Sequence, residues 1–334
     1  MPCASRPALL DDASPPQSFP PESTMPRTSS RLLLSALALS CLAMTAHAQT
    51  SGGAGGGGMT PEQRAAQRAA QANKPRTIEG INTVWLEELT RPEFRDLLKE
   101  GYTTVLIMTG GVENNDDNLS MNKHNINNRL HGELLARKLG KTLVAPLVTL
   151  EPGNAGSTIQ PGRAGPMLSQ ATYTALLFDM GNYLRSMGFK EIYYLGDSGG
   201  NARGMQAAAD SLTKLYADSP DTVYFKHVPE YYNHVSVVQP YIQNELKIPE
   251  GIKIGASTGT SGLHEELSID ATLALADPVS IRYEQRKKVG QDEINGIKFQ
   301  SLEWLQDLGR KVADLRVTTT VNAIAAYRAS VGRK

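Results

Sequence analysis

Thiols are almost missing from this 334-residue chain, whose 2 cysteines are Cys3 and Cys41. Both precede the segment expected to fold, which excludes disulfides, a zinc knuckle and a cysteine nucleophile from it. An excess of one charge is missing too: lysine plus arginine and aspartate plus glutamate each number 34. That balance argues against a partner bound by phosphate neutralisation, so no nucleic acid is expected. Long apolar runs are also lacking. The longest, residues 32–46, is too short to span a bilayer comfortably, and no transmembrane segment is expected.

That run reads as an export signal. Met25, Arg27 and Arg31 give the basic flank, and Ala46-His47-Ala48 gives the cleavage site. Cleavage near Ala48 implies a periplasmic or secreted protein. Residues 1–24, rich in Pro and Ser, read as an extension upstream of the true start at Met25. A lipoprotein anchored at Cys41 is the weaker alternative, because Ala38-Leu39-Ser40 is a poor lead-in. Residues 49–76 form a Gly-rich tether and a peripheral helix, with Thr60 as N-cap and Pro61 at the first helical position. The folded domain is expected over residues 77–334.

Within it, apolar β-branched runs alternate with helical spacing. Strands are expected at residues 103–108, 142–150, 191–195 and 222–228. Between them, Ile126, Leu130, Leu134 and Leu135 mark one helical face, and Tyr173, Leu177, Tyr183 and Leu184 a second. Met205, Ala208, Leu212 and Leu215 mark a third. A further helix is expected over residues 301–331. The pattern implies an α/β fold, a doubly wound and largely parallel sheet with helices on both faces. Ligands in such folds sit where strand-to-helix loops converge at the carboxyl ends of strands. The polar segments after Met108 and after Leu195 fall there.

Histidines are few, and His124 and His264 stand in strand-end loops, His264 directly before Glu265 and Glu266. Imidazole and carboxylate gathered from separate loops are the makings of a hydrolytic metal site. The plainer reading is loop histidines and helix-capping acids. His131 reads as a partly exposed helix residue, and Glu87, Glu88 and Asp96 as solvated positions. His227 and His234 flank Tyr231 and Tyr232, a pair able to line a pocket or to sit buried. The acidic run at residues 114–118 lacks the spacing of an EF-hand.

Gly196-Asp197-Ser198-Gly199-Gly200-Asn201 joins a strand to a helix, where free N–H groups suit an oxyanion or phosphate. Its GDSGG letters match those around a chymotrypsin-type nucleophile, but in an α/β context the motif does not transfer. A Ser198 nucleophile served by His124 or His264 stays open.

The Trp85-Leu86-Glu87-Glu88-Leu89-Thr90 opening, Pro92-Glu93-Phe94, the TTVLIMTGGVE stretch, Arg163-Ala164-Gly165-Pro166 and Gly196 to Asn201 together resemble the creatininase family of metal-dependent amidohydrolases. The similarity covers residues 84–215 well and the rest loosely. It implies a three-layer α/β/α fold, hydrolysis of an amide C–N bond in a small molecule, cyclic in some cases, and divalent metal; it also allows for a homo-oligomer. Of the family's first motif, Glu113 is kept, while Asn115 stands at a histidine position and His124 at that of a bridging aspartate. Of the second, Gly199, Gly200 and Asn201 are kept, with Ser198 at the ligand histidine. Gly262-Leu263-His264-Glu265-Glu266 resembles a later segment in outline.

With the bridging carboxylate gone, the resemblance implies one zinc or manganese ion held by Glu113, His124 and Asp197. His264 or Glu266 would act as further ligand or proton shuttle, and Gly199, Gly200, Asn201 and Asn115 would contact substrate or oxyanion. The alternatives are a catalytically inactive binding protein with a pocket lined by Asn115, Asn118, Tyr231 and Tyr232, and a serine hydrolase using Ser198.

Overall fold

The computed structural model describes residues 59–115, 118–153, 165–250 and 265–333. The expected signal, the tether up to residue 58, residues 154–164 and the stretch 251–264 with His264 lie outside them. The chain divides into two units at residue 63. In the first, Thr60 N donates to Gln63 Oε1 (2.9 Å) and Gln63 N to Thr60 Oγ1 (3.2 Å), which caps helix α1 (Pro61–Ala72) as expected.

The second unit holds a four-stranded parallel sheet of order β2-β1-β3-β4, formed by β1 (Thr104–Thr109), β2 (Thr142–Val144), β3 (Glu191–Gly196) and β4 (Tyr224–His227). Every residue of β1 and β3 is buried, which is why both read as unbroken apolar runs. The expected strand at residues 142–150 is shorter than its sequence suggests. Pro146 cannot donate to a ladder, and the chain rejoins β1 only through Val148 N to Met108 O (3.1 Å) and Gly110 N to Val148 O (2.8 Å).

Alternate strand residues feed opposite faces. Val105, Ile107, Ile192 and Tyr194 pack with Tyr173, Leu177 and Leu184 of α4 (Gln170–Ser186) and with Met205, Ala208 and Leu212 of α5 (Ala202–Leu215). Leu106, Met108, Tyr193 and Leu195 pack with Leu135 of α3 (Lys123–Leu139) and with Val317 and Ile324 of α8 (Leu302–Ser330). This is the three-layer α/β/α fold. Among the described residues no helix is long and apolar enough to cross a membrane.

A further cluster lies away from the sheet, where α6 (Leu267–Ala276) packs on α8. α6 is apolar nearly all round, with eight of its residues buried, so it shows no stripe to read in the sequence. The two helices cross closely at Gly309, where an added Cβ would meet the Ala271 carbonyl oxygen at 2.1 Å. Gly309→Ala gains about 1 kcal/mol of helix propensity. It must also push backbone off backbone, an overpacking cost of about 1–3 kcal/mol or more. The expected net result is a lowered midpoint in chemical denaturation.

Candidate active site

At the carboxyl ends of β1 and β3 the polar side chains converge. Asp197 directly follows β3 and is buried at 1 % exposure; His124, at 7 %, stands in the first turn of α3. The two meet through His124 Nδ1 and Asp197 Oδ2 at 2.9 Å, and His124 Nε2 reaches Glu113 Oε1 at 2.8 Å. Lys123 Nζ lies 2.7 Å from the same Glu113 oxygen, and Arg316 Nη2 of α8 lies 2.7 Å from Asp197 Oδ1. The result is an unbroken line of five groups, Lys123, Glu113, His124, Asp197 and Arg316, alternating in sign.

Neighbouring amides brace it. Asn127 Nδ2 reaches Asp197 Oδ2 at 3.4 Å. Asn128 Nδ2 donates to Thr109 O (2.8 Å) and its Oδ1 accepts from the Tyr231 hydroxyl (2.8 Å). These asparagines weaken the first turns of α3 as helix formers, but they anchor it to the end of β1.

Burial alone would push the His124 imidazole down. The hydrogen bonds to Asp197 and Glu113 outweigh it and hold the group at about 9, against the opposing charge of Lys123. A raised folded value means stability that is full below the ordinary pKa near 6.5 and lost as pH climbs through about 9. The span corresponds to roughly 3 kcal/mol. Denaturation midpoints measured between pH 6 and 10 should fall across this window, and less steeply in His124→Gln.

Beside this line lies a second carboxylate system. The Ser198 hydroxyl donates to Glu151 Oε2, and Glu151 Oε1 is buried with no hydrogen-bond partner. Burial raises the Glu151 carboxyl above its usual range. The Ser198 hydrogen bond pulls it down, the Glu113 charge raises it, and His124 and Lys123 pull it back. The carboxylate lies against Gly111, where an added Cβ would come within 2.6 Å of it. Gly199 and Gly200 are exposed at the start of the turn that leads into α5. Glu266 is buried before α6 and accepts from Gln239 Nε2 (3.2 Å) and Ser268 Oγ (3.4 Å). Its carboxyl is pushed up to about 7, first by burial and then by the charge of Glu250.

The creatininase family model, described as creatinine amidohydrolase, matches residues 87–250. It spans β1, β3, β4 and every residue of the alternating line except Arg316. The protein is a member of the creatininase family. A solved creatinine amidohydrolase (creatininase) superimposes with a TM-score of 0.51 at 18% identity, covering 75% of this chain and 98% of that one. A substituted creatininase described as Zn-Zn type matches at a TM-score of 0.50 and 17% identity, and a manganese creatininase at 0.50 and 18%. Each covers 74% of this chain and 98% of its own. A search of curated protein sequences finds no match.

Against this creatininase frame, the expected metal ligands Glu113, His124 and Asp197 do lie together, but joined by hydrogen bonds. Both His124 nitrogens face carboxylate oxygens, so neither lone pair is presented to an ion. Among the described residues no three His, Asp or Glu side chains are disposed to hold a metal. The same engagement corrects the expectation that His124 serves Ser198 as base, since the partner of Ser198 is Glu151.

Two of the expected substrate-binding amides are tied to backbone. Asn115 Nδ2 donates to Glu113 O (3.2 Å) and Ser120 O (2.8 Å), and Asn201 Nδ2 to Thr109 O and Gly110 O at 2.9 Å each. Their Oδ1 atoms are buried without hydrogen-bond partners. Tyr231 is buried under Arg316, whose guanidinium carbon lies 4.6 Å from its ring centroid, and therefore lines no open pocket; Tyr232 is half-exposed. His131, expected to be partly exposed, is fully buried edge-on to Tyr231, with ring centroids 6.0 Å apart. Glu87 pairs at the surface with Arg129 (3.2 Å) and Asp96 with Arg76 (3.1 Å), contacts worth about 0–1 kcal/mol.

Sequence reasoning missed Glu151, Lys123 and Arg316. For Arg316 a signal existed. Leu305, Val312, Arg316, Thr320 and Ile324 follow one buried face of α8, and arginine stands there where an apolar residue is expected.

Proposed function

We propose that this creatininase-family member hydrolyses a C–N amide bond of a small molecule, with Ser198 as nucleophile and Glu151 as its base. The observation that carries the reading is the hydrogen bond from the Ser198 hydroxyl to a buried carboxylate whose proton affinity is raised. The family's activity supports the reaction class.

The metal expected from the family does not fit the described residues of the site. Each carboxylate and the imidazole of the expected set is engaged by a protein group of opposite charge, Ser198 offers a hydroxyl at the histidine position, and the Asn115 amide is bonded to backbone. No step is therefore assigned to an ion.

In the proposed reaction, Ser198 Oγ attacks the amide carbonyl carbon as its proton passes to Glu151 Oε2. Backbone N–H groups of Gly199 and Gly200 face the oxygen that gains charge. The C–N bond then breaks and Glu151 returns the proton to the departing nitrogen. Water, deprotonated by Glu151, cleaves the Ser198 ester and restores the hydroxyl. Glu266, its carboxyl pushed up to about 7 by burial, keeps the role of a proton-holding group in this proposal.

A fluorophosphonate probe applied to the full chain tests this directly. The proposal expects covalent labelling that is lost in Ser198→Ala, together with turnover of at least one small amide. Turnover unchanged in Ser198→Ala would refute it. Export remains part of the proposal, supported by residues 25–48.

A second reading is favoured by one observation, the replacement of a ligand set by internally paired charges. On it the protein binds a small molecule without turnover, which calorimetry would show as binding with no product.

A further inference from the structure

Two cations, two carboxylates and a histidine form the line Lys123, Glu113, His124, Asp197, Arg316, with each link between 2.7 and 2.9 Å. His124 bonds a carboxylate through each nitrogen. Each ring nitrogen is thereby turned to a carboxylate oxygen of the chain itself. Lys123 is 2 % exposed and Arg316 is fully buried. Charges so deep are retained only when paired, and here the pairing is internal to the chain.

Lys123 reaches further than its contact with Glu113, since its charge also acts on Glu151 and Glu266. A divalent ion placed there would add two charges to carboxylates that Lys123 and Arg316 already balance.

We infer that the Lys123 ammonium and the Arg316 guanidinium, with His124 bonded between the two carboxylates, replace a metal centre, so that the carboxylates are neutralised by the protein itself and divalent ions are refused. A fixed opposite charge held this close in a buried site is strongly favourable and needs no ion brought in from water. That is enough for a fixed cation to compete with an ion that must also shed its water. The inference concerns the same site as the proposed hydrolysis but is read out by metal content, so it stands or falls whether or not Ser198 turns over a substrate.

The test is metal analysis of the purified full-length chain, followed by calorimetric titration with zinc chloride and manganese chloride. The expected result is well under 0.1 equivalent bound and an unfolding midpoint unmoved by chelator. Close to one equivalent of either metal, held through dialysis, would overturn the inference. The converse arm uses Lys123→Met with His124→Asp, which removes the ammonium and the bonded ring and adds a carboxylate. This variant is expected to take up about one equivalent of manganese or zinc, and a folded variant that takes up none would show that the cations are not what keeps metal out. Should the double variant fail to fold, Lys123→Gln alone is expected to gain a manganese-dependent rise of several degrees in unfolding midpoint. No rise would overturn the inference equally.

Discussion

Arg316→Met is expected to cost about 3–5 kcal/mol of stability, the penalty for breaking a buried pair by removing one partner. Arg316 and Asp197 are both buried, and the guanidinium bonds Asp197 Oδ1 at 2.7 Å and the Tyr231 carbonyl at 3.1 Å. Methionine fills much of the volume over the Tyr231 ring, so the loss is chiefly electrostatic. Asp197 would be left with His124 and the Asn127 amide, and the ring with less to hold it between two carboxylates. Adding Asp197→Asn to Arg316→Met should recover part of the loss, with a coupling in the double-mutant cycle well above 1 kcal/mol. Denaturant midpoints measure all three variants. A cost under 1 kcal/mol for Arg316→Met would mean that the line of charges is not held as described.

Glu151→Gln is expected to lower kcat by about 10²–10⁴, the usual worth of a general base. Glutamine is nearly isosteric and can still bond Ser198, so KM and the unfolding midpoint should change little. The pH dependence of kcat/KM carries the sharper signature. Burial raises the Glu151 carboxyl, and a base must be ionised to act, so activity should climb with pH through a limb lying above the ordinary carboxylate range. In Glu151→Gln that limb should vanish along with most of the rate. A variant with full activity and the same limb would assign the base elsewhere.

The sheet and its flanking helices were legible because β1 and β3 are buried on both faces and read as continuous apolar runs, while α4 and α5 carry apolar positions at helical spacing. α8 was legible from end to end, and Ser301 caps it through Trp304 N at 3.1 Å. β2 was overread because Leu147 to Leu150 continue the apolar signal past Pro146, which the ladder cannot accommodate. α6 was missed for the opposite reason, being buried on all sides.

The site was half legible. The segments after Met108 and Leu195 were recognisable as strand-end loops, and Glu113, His124, Asp197 and Ser198 all came from them. Their chemistry was not, because it depends on partners distant in sequence. Arg316 is 119 residues from Asp197, and Glu151 is 47 from Ser198. No local pattern announces that a helix near the end of the chain delivers a guanidinium to the end of β3. Without that cation, Asp197 beside a histidine reads naturally as a metal ligand.

The central claim is that a creatininase fold here carries a site run by its own side chains. Hydrolysis of a panel of small cyclic and linear amides by the full chain, before and after exhaustive chelation, tests it most directly. The account predicts turnover that survives chelation and is lost in Glu151→Gln. Turnover that disappears on chelation and returns with zinc or manganese would contradict it.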